Sequence, residues 1–267
     1  MSLPVEKALR KAQSHIKAGE LAEAEKLYKQ VLSMFPKDQK AIQGYQRLKA
    51  GSISEGLSNS EPTFEQIQEL LNLYNHGQFE EILSKLKRLI IVFPKAAILH
   101  NIQGASNAIL QRFDAAIDSY KKAIKIKPDY DEAYNNMGNA LKDNAQLDAA
   151  IDSYKKAIKI KPDYADAHRN MGIALQDMGD LYAAIDSYKQ ALKIKPDYAD
   201  AYSNLGSAIQ DKGDPDAAIV SYKQAIKIKP DYADAYNNMG SALQDKGDLD
   251  AAIDSYKQAI KIKPDYA

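Results

Sequence analysis

Six prolines, Pro94, Pro128, Pro162, Pro196, Pro230 and Pro264, lie 34 residues apart. A fixed period of that length restricts the chain to a repeat architecture, in which each unit is a small element that buries its apolar face only against its neighbours. The flanking sequence repeats as well: KPDYADAY starts at Lys195 and at Lys229, and KPDYADAH at Lys161. The period sets units at 63–96, 97–130, 131–164, 165–198, 199–232 and 233–266, and Pro36 closes an earlier unit at 5–38. The interval from Pro36 to Pro94 is not a multiple of 34, so the phase breaks between them.

Within unit 131–164, Tyr134, Met137, Gly138 and Leu141 fall at the i, i+3, i+4, i+7 positions of one helix face. After a short break, Leu147, Ala150, Ile151, Tyr154, Ala157 and Ile158 keep the same spacing. Each unit is therefore two amphipathic helices, and the fold class is all-α. Pro162 ends the second helix. Asp163 is expected to cap the next first helix, with Asp166 in the acidic place of a capping box. Gly179, Gly213 and Gly247 sit between the helices, where a left-handed residue is needed. Unit 131–164 has Ala145 there, and Asn144 is expected to take the left-handed conformation. Gly138, Gly172, Gly206 and Gly240 lie inside first helices, where glycine costs about 1 kcal/mol against alanine. Close approach to the small Ala150, Ala184, Ala218 and Ala252 of the second helices is the expected reason.

Tyr134, Gly138, Leu141, Ala150, Tyr154, Ala157 and Pro162 together resemble the tetratricopeptide repeat family. The resemblance implies a right-handed superhelical solenoid of antiparallel helix pairs, with first helices lining a concave groove. Unit 63–96 is degenerate, with an offset stripe at Ile67, Leu70, Leu71 and Tyr74; unit 5–38 is partial and keeps Gly19, Ala24, Tyr28 and Pro36. Residues 39–50 read as one more first helix with Ile42, Tyr45 and Leu48 on one side. Residues 51–62, rich in glycine and serine, read as a linker. The expected organisation is thus an N-terminal module at 1–50, a linker at 51–62 and an array at 63–267. The chain stops at Ala267, the first residue of a further repeat, with no capping unit, so a continuation is expected.

Chemistry is sparse. Basic and acidic residues balance at 36 each, which argues against a nucleic-acid or anionic-membrane partner. Cysteine is absent, which removes thiolate metal sites and cysteine nucleophiles. Residues 1–19 are charged and amphipathic rather than a signal peptide, so a cytoplasmic location is the expectation. No phosphate-binding glycine loop, nucleophile elbow or metal-ligand spacing is present. No enzyme activity, cofactor or metal is therefore expected. His100 and His168 occupy the slot of Tyr134, Tyr202 and Tyr236 and read as core substitutes; His15 and His76 are isolated.

The candidate site comes from helix geometry. Positions opposite the core stripe build rows through the stack: an amide row at Asn136, Asn170, Asn204 and Asn238, with Asn139 beside it, and an acidic row at Asp143, Asp177, Asp211 and Asp245. An asparagine row offers donor and acceptor to an extended backbone. It resembles the asparagine ladder in the repeat region of protein O-GlcNAc transferases, which implies a grip on peptide backbones; an amide also suits an ordinary solvated helix face, and the residues leave both readings open. The receptors of this family that clamp a terminal carboxylate use first-helix lysine and arginine, whereas this face has only Arg169 and Lys142 near its edge. A polar or basic extended peptide is the expected ligand. Lys155, Lys156, Lys159, Lys161 and their equivalents face away from the groove and read as a solvated stripe paired with Asp152. In unit 97–130 the groove positions are instead Ile98, Ile102, Ala105 and Ile109, read as an apolar patch or, preferably, as a stripe covered within the chain. The leading function is a protein-binding scaffold. The alternatives are the substrate-docking arm of an enzyme whose sulfotransferase or glycosyltransferase domain follows Ala267, as in similar bacterial proteins, and an array that self-associates through Leu249, Ile253 and Tyr256.

Overall fold

The computed structural model describes residues 3–17, 20–46, 48 and 61–264. Of the linker expected at 51–62, residues 51–60 lie outside the described residues, as does Gly19. The chain forms two compact units, Met1–Leu99 and His100–Ala267, and the described secondary structure is helical.

In the first unit, α1 (Leu3–Lys17) and α2 (Leu21–Met34) pack as a pair. Residues 39–46 form α3, which adds Ala41 to a core of Leu9, Ala12, Ala24, Tyr28, Val31 and Leu48. α4 (Phe64–Asn75) and α5 (Phe79–Val92) form the next pair. Thr63 and Gln66 make a reciprocal capping box at the start of α4. Leu70 is buried but Leu71 is exposed. The expected four-residue stripe therefore loses one member, because Leu71 lies about 100° round the helix from Leu70.

The second unit stacks helix pairs. Its helices are α6 (Ala97–Ile109), which crosses the unit boundary, then α7 (Phe113–Ile126), α8 (Asp131–Asp143), α9 (Leu147–Ile160), α10 (Ala165–Asp177), α11 (Leu181–Ile194), α12 (Ala199–Asp211), α13 (Pro215–Ile228), α14 (Ala233–Lys246) and α15 (Leu249–Ile262). From α7 onward each helix packs on the next, and the first helices α8, α10, α12 and α14 also touch in succession. The unit is an all-α solenoid whose first helices form one continuous face. Its core runs across repeat boundaries: Ile117, Tyr120, Leu141, Ile151, Tyr154 and Ala174 belong to one cluster.

The first-helix glycines have a different reason from the one the sequence suggested. A Cβ on Gly138, Gly172 or Gly206 would stand 2.5–2.6 Å from Cε1 of Tyr154, Tyr188 or Tyr222. These rings are almost fully buried and cannot retreat. The alanines Ala150, Ala184 and Ala218 are buried, but it is the ring that excludes a side chain at glycine.

The turns hold a second correction. Gly179, Gly213 and Gly247 have φ of 87°, 91° and 85°. In unit 131–164 Ala145 itself takes φ 56°, and Asn144 stays at φ −91°. Asn144 is held instead by a hydrogen bond from its Nδ2 to Asp114 at 3.1 Å. The capping box expected at Asp163 and Asp166 does not form: the N-cap is Tyr164, without a side-chain cap bond. Side-chain caps occur on second helices, where Asp180, Asp214 and Asp248 accept from the amides of Ala183, Ala217 and Ala251.

Gly172→Ala should destabilise the unit by about 1–3 kcal/mol, the usual cost of forced overpacking. Urea unfolding measures this, and most of the loss should vanish when Tyr188 is also replaced by leucine. An equal loss in both backgrounds would remove the ring from the explanation.

Candidate functional site

The face built by α8, α10, α12 and α14 carries the amide row, because Asn136, Asn170, Asn204 and Asn238 hold the same position on successive helices. All four are half-buried. Two of them join a chain of hydrogen bonds across repeats. Asn136 Nδ2 donates to Asn101 Oδ1 at 3.3 Å, and Asn170 Nδ2 donates to Asn135 Oδ1 at 3.1 Å. Asn135 Nδ2 donates to Asn136 Oδ1 at 3.4 Å, which joins the two rungs. Arg169 Nη1 donates to Asn170 Oδ1 at 3.3 Å at one end, and Asn101 Nδ2 donates to the Tyr130 hydroxyl at 3.3 Å at the other. A primary amide has two N–H groups and two lone pairs, and these bonds engage only one of each on Asn136 and Asn170. The second N–H and the second lone pair of each take no part in these bonds.

The acidic row is exposed at Asp143, Asp177, Asp211 and Asp245. It too is laced. Gln176 Nε2 donates to Asp211 at 2.6 Å and to Ser207 Oγ at 3.1 Å, and Gln210 repeats this with Asp245 and Ser241. Each glutamine also accepts from a core tyrosine, Tyr188 or Tyr222. Asn139 accepts from Tyr154 at 2.7 Å, and Asp143 pairs with Lys142 at 2.7 Å. The glutamines were not singled out from the sequence. Their signal was the dipeptide QD at 176–177, 210–211 and 244–245.

The motif KPDY closes each unit with its own geometry. Lys127, Lys161, Lys195 and Lys229 stand 4.5–4.9 Å from the ring centres of Tyr130, Tyr164, Tyr198 and Tyr232. These lysines are therefore held by rings. A second-helix pair of the expected intrahelical kind forms at Lys257 and Asp254, 3.6 Å apart. The Tyr198 hydroxyl donates to Asp166 at 2.5 Å. Burial, reinforced by this carboxylate, pushes the Tyr198 phenol up to about 12. Burial and Asp200 do the same to Tyr232, and burial and Glu132 to Tyr164.

Of the apolar stripe, Ile102 is 6% exposed, Ile98 is half-buried and Ile109 is 45% exposed. Ile102 is thus core, and the stripe is not a continuous open patch. His100 is buried, and burial lowers its pKa. His168 is half-buried with Nε2 3.3 Å from the Pro162 carbonyl.

Comparison with known families matches a TPR repeat model to residues 108–145, 143–179, 174–213 and 209–247. Further tetratricopeptide repeat models match 233–266 and 8–38. The chain belongs to the tetratricopeptide repeat family. Among relatives of this tetratricopeptide protein, the peroxisomal targeting signal receptor of Candida albicans is 35% identical over 65 residues, which is 24% of this chain and 11% of the receptor. The match thus spans about a tenth of that relative's length. The crystal structure of MamA is 33% identical, covers 60% of this chain and 94% of its own, and superposes with a TM-score of 0.55. The crystal structure of YrrB, described as a TPR protein with an unusual peptide-binding site, is 21% identical, with coverage of 68% and 93% and a TM-score of 0.54, and shares the fold. Among the described residues no helix is long and apolar enough to cross a membrane, and no cluster of candidate metal ligands occurs.

The raised tyrosines give a pH dependence with a definite sign. Tyr164, Tyr198 and Tyr232 keep their protons to about 12 in the folded chain, against 10.0 ordinarily. Between those values the unfolded chain binds fewer protons than the folded one, so stability falls as pH rises through that window. Tyrosinate absorbance in the folded protein should therefore lag that in denaturant, and coincident titrations would refute the burial of these hydroxyls.

Proposed function

We propose that the first-helix face of the second unit holds an extended polypeptide, and that the chain acts as a non-catalytic protein-binding scaffold. The observation that carries this reading is the amide row. Stacked repeats present the amides at regular spacing, and Asn136 and Asn170 keep a donor and an acceptor beyond those used between repeats. An extended backbone offers the complementary groups at regular intervals, whatever its side chains. The exposed carboxylates of Asp177, Asp211 and Asp245 flank the row, which favours a polar or basic ligand. YrrB, described as having an unusual peptide-binding site, and a receptor for a targeting signal lend support by kinship of fold and repeat. A lysine- and serine-rich peptide library should bind the chain, and replacing Asn136, Asn170, Asn204 and Asn238 together by alanine should weaken binding by about tenfold or more. Circular dichroism must show the helices intact. Undiminished binding by that variant would eliminate the amide row as the site.

A second reading has its own observation. Leu249 and Ile253 on α15 are 60% and 50% exposed, whereas Ile219 and Ile151, which match Ile253 in earlier repeats, are buried. We propose that this face of α15 also receives the first helix of a second copy, because a first helix covers it elsewhere in the stack. Molecular mass should then rise with concentration, and Ile253→Asp should abolish the rise. A mass that stays monomeric over a wide concentration range would dismiss this reading.

A further inference from the structure

Arg169 breaks the pattern of the face it stands on. In the row 101, 135, 169, 203, 237 the residues are Asn, Asn, Arg, Ser and Asn, and the neighbouring row from Ile102 to Asn238 holds no cation. In the two preceding repeats each row asparagine donates to the residue 35 positions earlier, Asn136 to Asn101 and Asn170 to Asn135. Asn204 stands in the same relation to Arg169. A guanidinium has no lone pair to offer, so Asn204 Nδ2 finds no acceptor and is buried without a partner. Arg169 Nε is buried without a partner as well. Two orphaned donors thus lie at one rung, and leaving such groups unpaired costs about 1–3 kcal/mol each.

The charge on Arg169 is also unanswered. No carboxylate of the described residues forms an ion pair with it. The nearby Asp166 is engaged by the Tyr198 hydroxyl. The guanidinium is oriented by its bond to Asn170 and by its position 5.7 Å from the centre of the Tyr198 ring. It is half-buried and still meets solvent on the first-helix face. The arrangement is a pre-oriented cation among surplus donors, which is complementary to an oxyanion with two acceptor atoms.

We infer that Arg169 and Asn204 form a subsite for the side-chain carboxylate of an aspartate or glutamate within the bound polypeptide. This rests on the groove reading above and adds a specificity to it: a ligand that is polar or basic overall, with one acidic residue at the Arg169 rung. The carboxylate belongs to an internal residue because amides continue on both sides of this rung, at Asn101, Asn135 and Asn136 toward the N-terminal end of the stack and at Asn237 and Asn238 toward the other. A chain end at Arg169 would leave one arm of the row unused.

The test uses the full chain and three lysine- and serine-rich peptides. The first carries one central glutamate and an amidated end, the second has glutamine in its place, and the third is the glutamine peptide with a free C-terminal carboxylate. Titration calorimetry should show the glutamate peptide binding about tenfold tighter than the glutamine peptide. Arg169→Asn restores the residue found at Asn135 and Asn237 and supplies Asn204 with an acceptor, so the fold should persist. That variant should bind all three peptides alike, at the affinity of the glutamine peptide or better. Equal affinities for glutamate and glutamine in the unmodified chain overturn the subsite without any variant. A preference that survives Arg169→Asn, or one that follows the free C-terminus instead of the glutamate, overturns it too. Failure of every peptide to bind refutes the groove reading itself, and the subsite with it.

Discussion

A tyrosine ring seated where a glycine lacks a side chain joins the two helices of each repeat, at Gly138 with Tyr154, Gly172 with Tyr188 and Gly206 with Tyr222. The contact sets how near the helices come, because a Cβ would overlap the ring by far more than a packed core absorbs. It also sets what lies at the far end of the ring. Each of these hydroxyls emerges beside the first-helix face and donates to Asn139, Gln176 or Gln210. The core contact thereby positions the polar groups that a partner would meet.

From those groups the lacing passes to the next repeat. Gln176, anchored by Tyr188, reaches Asp211 and Ser207; Gln210, anchored by Tyr222, reaches Asp245 and Ser241. Core and face are therefore not separate layers. A buried hydroxyl, an amide and a surface carboxylate form one connected path, and the carboxylate is held in place without being neutralised by a cation. Such preorganisation lowers the cost of fixing side chains when a ligand binds.

Much of the fold was legible because a 34-residue period and an i, i+3, i+4, i+7 stripe depend only on neighbours along the chain. The helix pairs, the proline stops and the left-handed glycines follow from such local rules. What the sequence did not disclose depends on how helices meet, within a repeat and between repeats. Gly138 reads as a partner for Ala150 until the ring of Tyr154 is in place. Asp166 reads as a helix cap until the Tyr198 hydroxyl, 32 residues on, is seen to claim it. Ile102 sits at a groove position by helical angle, yet it is buried. The asparagines could be placed on the first-helix face from spacing alone. Their bonds could not, because Asn170 reaches Asn135 rather than its own equivalent, Asn136.

The amide row also has a direction. From Arg169 through Asn170, Asn135 and Asn136 to Asn101, donor follows acceptor without a break, and the two bonds that cross between helices, Asn170 to Asn135 and Asn136 to Asn101, are both donated toward the N-terminal end of the stack. Turning one amide over would set oxygen against oxygen on one side and N–H against N–H on the other, so the orientation is kept or lost collectively. A polypeptide backbone is likewise a polar thread, distinguishable head from tail. Laid along such a row in the way proposed, its two senses would not be equivalent, and the direction of a guest chain would matter before any of its side chains is examined.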